Sequence, residues 1–203
     1  MKLDAGTFLL LWATGGLLFL WVTTRRREVS LGYGWLMRSV YGVLAIGALA
    51  LFVANDHPSA VVPTALCILA TGIALAVSVA RKDAGVRGRE EIKAERRARV
   101  SAMIGREDDD AAADPGPEFP PLLDLPAPIL GFVGLFAAAE FAGGPIPLAV
   151  ARLGIGALFL GAVTDAMLLG HWYLVQPGLR RDPVNELVLW TIGIWPFQIA
   201  VFL

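Results

Sequence analysis

Six apolar stretches, at 5–23, 35–54, 60–80, 129–142, 148–175 and 184–203, dominate the sequence and decide what the chain can become. A hydrocarbon core of about 30 Å needs about 20 residues of helix rising 1.5 Å each, and all but the fourth stretch meet or approach that length. In hydrocarbon each backbone N–H and C=O must be satisfied within its own segment, which for runs of this kind leaves the α-helix. The expectation is an all-α, polytopic integral membrane protein with six transmembrane helices. Three lie in residues 1–80, three in 127–203, and one long basic then acidic loop, 81–126, separates the halves. The 56% hydrophobic share agrees, since soluble domains hold apolar usage nearer half even with glycine counted.

Two stretches need argument. In the first, Arg25, Arg26 and Arg27 follow the apolar run rather than precede it, the reverse of a cleaved signal peptide, so it reads as a retained helix. The fourth is short unless 125–128 also lies in the membrane, which prolines at a helix start allow; a re-entrant segment is the alternative. Ala70, Ala74 and Ser78 in the third stretch, and Gly154, Gly156 and Gly161 in the fifth, read as small residues for close helix packing. Pro196 predicts a bend in the sixth.

Orientation comes from the distribution of positive charge. Of 17 lysines and arginines, only Lys2 and Arg152 fall outside three segments, 25–38, 81–106 and 180–181. These segments share a face only if six spans alternate, and the basic face is cytoplasmic by the positive-inside rule. The expected location is a cell membrane of bacterial inner-membrane type, multi-pass, with both termini outside.

Within the loop, Arg87, Arg89, Lys93, Arg96, Arg97 and Arg99 sit on a run of good helix formers whose amphipathicity is weak. Tethered to a membrane helix, such a cluster meets anionic lipid headgroups, and a membrane-protein partner or a second copy of the chain is the other expected contact. Nucleic acid is not expected. The acids at 107–110 and the prolines from 115 to 128 read as an extended or disordered linker.

Few residues inside the spans carry chemistry. Asp165 is the foremost, because an ionisable group in an apolar helix is costly and functional by default. Its depth, near the inner interface, suggests pairing with a cytoplasmic arginine, Arg38 being the nearest. His171 is six residues away, about 240° round the helix, so the two form no dyad. Asp165 and Trp172 share one face, Thr164 and His171 another. Trp172 and Tyr173 read as an aromatic belt at the headgroups, and His171 as an interfacial hydrogen-bonding histidine. Glu140 and Arg152 flank the 143–147 turn as a salt-bridge pair near the outer surface, with Gln198 able to bond either.

No phosphate loop, HExxH, GxSxG or CxxC motif occurs, and Cys67 is the single cysteine. His57 falls on the opposite side of the membrane from His171, against a bis-histidine haem. Neither cofactor nor metal is implied. The leading functional expectation is an accessory or structural membrane subunit, or a membrane protein that docks a partner, rather than an enzyme. Alternatives are a small-solute or proton-coupled transporter using Asp165, Glu140 and Arg152, and a lipid-interface enzyme using His171 and Asp165, which lacks an accompanying nucleophile.

Overall fold

The computed structural model describes residues 3–84, 94, 97–101, 103, 118–176 and 178–203. Arg87, Arg89, Lys93 and Arg96, and the acidic run at 107–110, lie outside the described residues; Arg97 and Arg99 are helical and exposed. The bundle comprises α1 (Ala5–Thr24), α2 (Leu31–Ala54), α3 (Pro58–Ala80), α4 (Pro126–Ala138), α5 (Ile146–Val175) and α6 (Asp182–Ala200). Short 3-10 turns at Pro121–Asp124 and Ala139–Phe141 extend α4 at both ends, so the stretch that is short by sequence becomes a 21-residue run, Pro121–Phe141. That run, with α1, α2, α3 and α5, makes five helical segments long and apolar enough to cross a membrane. The first turns of α6 carry Asp182, Asn185 and Glu186, which shortens its apolar part.

Local chemistry sets the helix ends. Pro58, Pro126 and Pro183 open α3, α4 and α6, where a missing N–H removes no intrahelical bond. Gly143 and Gly144, at φ of 70° and 83°, supply the left-handed backbone that turns the chain between α4 and α5. Asp4 caps α1, accepting from the Thr7 backbone N–H at 2.9 Å and from the Thr7 hydroxyl at 2.5 Å. Burial pushes the Asp4 carboxyl up, but the Thr7 bonds and attraction to His57 outweigh it and hold the group below its ordinary value of 3.8. A lowered folded-state value contributes stability above the unfolded value that is lost as pH falls through the folded one. Asp4→Asn is therefore expected to flatten the pH dependence of melting below about pH 4 and to leave it unchanged near neutrality, which a melting series across that range checks.

Packing is organised around α1. It carries no charge and is buried on every side, through Leu10, Leu11, Thr14, Leu17, Phe19 and Leu20 among others, as a helix apolar all round should be. It packs against α2, α4 and α5; α3 closes the group against α2 and α4, and α6 lies outside, mainly against α5. Consecutive α4 and α5 touch only lightly, because each packs chiefly elsewhere. The outer faces present Val43, Val53, Val62, Leu69, Ile192 and Leu189 to the surroundings. In water such surface would be a large apolar patch, whereas in a bilayer it is the ordinary exterior of a helical bundle.

The loop boundary moves. Residues 118–124, assigned by composition to the extended linker, are part of the bundle: Phe119 is buried, and Asp124 is only 4% exposed.

Candidate functional site

The buried polar site is made possible by glycine. A Cβ on Gly15 of α1 would lie 1.9 Å from the Ala157 carbonyl oxygen of α5, and one on Gly161 would lie 2.2 Å from the Gly15 carbonyl carbon. The two backbones are thus in direct contact. Ala157, Gly161 and Asp165 are spaced by fours and share the contact face of α5, so the same approach that needs glycine carries Asp165 into the core, where it is 0% exposed. On α1, the neighbouring Gly16 lies under the Tyr41 ring of α2, which a Cβ would meet at 2.1 Å. Passing across this gap, the Tyr41 hydroxyl donates to Asp165 Oδ1. Close by, the Trp12 indole donates to the Thr164 hydroxyl at 3.2 Å.

The expected Arg38–Asp165 pair does not form. Arg38 and Tyr41 are three residues apart on α2, and it is the phenol that meets Asp165, while the guanidinium takes Asp124. Arg38 Nε and Nη2 donate to the two Asp124 carboxylate oxygens at 2.7 and 2.6 Å, with side-chain exposures of 3% and 4%. The Phe119 ring lies 4.6 Å from Cζ. Ser78 of α3 accepts from Nη1 at 3.5 Å and from the Trp35 indole at 3.0 Å, and the Thr24 hydroxyl reaches Asp124 at 3.4 Å. One buried ion pair thereby joins α1, α2, α3 and the entry to α4.

Beyond these contacts, Asp165 Oδ2 and the Tyr33 hydroxyl are both buried without a hydrogen-bond partner among the described residues. Tyr41→Phe removes the hydroxyl from Asp165 and is expected to cost about 1 to 3 kcal/mol, the usual penalty for stranding a buried polar group. Denaturation in detergent measures it, and an unchanged midpoint would show that the bond contributes nothing.

The residues near the C-terminal end of α5 that spacing singles out divide between roles. Asp165 and Trp172 do share a face: the first meets Tyr41, and the second packs edge-on against Tyr33 at 5.6 Å. The Trp172 indole donates to the Ser30 hydroxyl at 3.1 Å, with Gln176 Oε1 at 3.3 Å. Gln176 in turn accepts from the Ser30 N–H at 3.1 Å and donates to the Glu28 carbonyl at 3.3 Å, clasping the α1–α2 connection. The Tyr173 hydroxyl donates to the Arg180 carbonyl in the exposed connection to α6. Thr164 is buried but His171 is exposed, its Nδ1 2.9 Å from the Met167 carbonyl. Asp165 and His171 are not brought together.

At the other end the Glu140–Arg152 salt bridge is absent among the described residues. Glu140 accepts from the Ser59 hydroxyl at the start of α3, because α4 packs on α3 rather than on α5. Arg152 Nε donates to the Val201 carbonyl at 2.6 Å, with the guanidinium 5.4 Å from the Phe202 ring. Gln198 bonds neither; its Oε1 is buried with no partner among the described residues. His57 stacks on Phe141 at 4.0 Å.

Residue patterns alone missed Asp124, Tyr41 and Gln176. The Gly15–Gly16 pair in the middle of an apolar run was the available signal for the crossing. No family model, curated protein or solved structure matches the chain.

Proposed function

We propose that this is a six-span membrane protein of inner-membrane type whose role is that of an accessory or partner-docking subunit. The observation that carries the reading is how its intramembrane charges are used. Arg38 and Asp124 neutralise each other out of reach of solvent, and Asp165 is sealed beneath Tyr41 with no exposed surface. The pocket beside Arg38 and the groove between α5 and α6 are lined by neither Asp165 nor His171. Buried polar groups in such a bundle hold helices in register. On this reading α6 is the sixth span, the basic segments face the cytoplasm, and the long loop contacts anionic headgroups and a protein partner. Purification from native membranes is expected to recover a second polypeptide in fixed ratio, and recovery of the chain alone would count against the assignment.

Orientation is tested separately. Cys67 is fully buried, so the native chain should give no background with an impermeant thiol reagent. Pro145→Cys is expected to react from outside intact cells and Met103→Cys to be protected; the opposite pattern would invert the topology.

A proton-coupled role for Asp165 has one observation in its favour, the unpartnered Oδ2 in the core that also holds the unpartnered Tyr33 hydroxyl. It becomes the better reading if Asp165→Asn keeps its melting temperature but loses a cellular phenotype.

A further inference from the structure

An apolar groove of about 600 Å³ runs down the outer side of the bundle between α5 and α6. Ile155 and Leu158 form one wall and Leu189, Trp190 and Phe197 the other, with Gly193 between them. A Cβ on Gly193 would meet nothing within 4 Å, so the missing side chain leaves the groove open. Glu186 closes one end, and there both Arg25 and Arg26 pair with its single carboxylate, Arg26 Nε at 2.7 Å. Their side chains remain 38% and 43% exposed. Two cations on one anion leave the mouth of an acyl-shaped groove one positive charge in excess, at the level where α1 ends and headgroups begin.

We infer that this groove holds a phospholipid of the bilayer, its acyl chain along Leu158 and Gly193 and an anionic headgroup at Arg25 and Arg26. The headgroup competes with Glu186 for the two guanidiniums. Charge complementarity selects anionic over zwitterionic lipid, and the groove's opening faces the medium in which the lipid already lies. The inference rests on α5 and α6 lying in the bilayer, which resistance of the chain to alkaline carbonate extraction tests by itself.

The binding experiment uses the full chain in detergent, titrated with phosphatidylglycerol or phosphatidylcholine and read by native mass spectrometry. One phosphatidylglycerol is expected to be retained in preference. Arg25→Ala and Arg26→Ala should each weaken it by about fivefold, the usual worth of one arginine at an anionic lipid surface. Glu186→Gln should strengthen it, because the competing carboxylate is gone; a purely structural role for the three residues would make that variant weaken retention too. Gly193→Phe should reduce both lipids while leaving the melting temperature unchanged. Equal retention of the two lipids, or weaker retention in Glu186→Gln, overturns the proposal. So does a Gly193→Cys variant that cross-links to a second copy or to another protein in native membranes, since the groove would then be an interface.

Discussion

Arg38→Leu is expected to cost about 3 to 5 kcal/mol of stability, the usual penalty for removing one partner of a buried ion pair. The size follows from what remains: Asp124, only 4% exposed, would keep a buried charge with the Thr24 hydroxyl at 3.4 Å and no guanidinium. Asp124→Leu strands the guanidinium in the same way, with Ser78 and the Phe119 face for company. The double change to leucine should cost less than either alone, since two apolar side chains leave no unpaired charge behind. Arg38→Lys is not expected to rescue, because an ammonium cannot span both carboxylate oxygens as the guanidinium does. Asp165→Leu combined with Arg38→Leu should be additive, as the two groups have separate partners. Denaturation midpoints in one detergent decide the matter, and additivity between Arg38→Leu and Asp124→Leu would dissolve the pair.

Gly161→Leu should be at least as severe. The atoms its Cβ would strike are backbone atoms of Gly15, at 2.2 and 2.4 Å, so no rotamer change can make room and the two helices must separate. Overpacking a core typically costs about 1 to 3 kcal/mol and sometimes more; here a cost above that range is expected, because separation of α1 from α5 also loosens the Trp12–Thr164 and Tyr41–Asp165 bonds. Even Gly161→Ala should be clearly destabilising. Gly170 of α5 provides the comparison, since a Cβ there meets nothing within 4 Å. Gly170→Ala should stabilise by up to about 1 kcal/mol through helix propensity alone. Equal responses at the two glycines would mean that the backbones are not in contact.

The helices were legible from the sequence because lipid-length apolar runs admit one regular backbone solution, and because proline and glycine punctuate their ends. The shared face of Asp165 and Trp172 was legible too, since it is a matter of angle along one helix. Partners were not. Arg38 and Asp165 lie at similar depth, and depth is all that counting along helices supplies; which side of α2 faces α5 depends on where α1 sits. Asp124 was hidden for a different reason. It lies in a proline-rich stretch whose composition resembles linker, and composition has no access to the neighbouring guanidinium that makes burial of its carboxylate favourable.

The sequence by itself determined a helical bundle with apolar helices of membrane-crossing length, a proline-led start to the fourth helix, the 143–147 turn after it, and an acid placed within an apolar helix. Those features rest on local chemistry, each readable within a few turns of chain. Only the tertiary structure decided that α1 is the centre, that α4 pairs with α3 instead of α5, and that each buried charge has its particular partner. Such choices depend on which faces fit together, and a bare Cα at Gly15, Gly16 and Gly161 is what allows the helices to approach closely enough for a phenol on α2 to reach a carboxyl on α5.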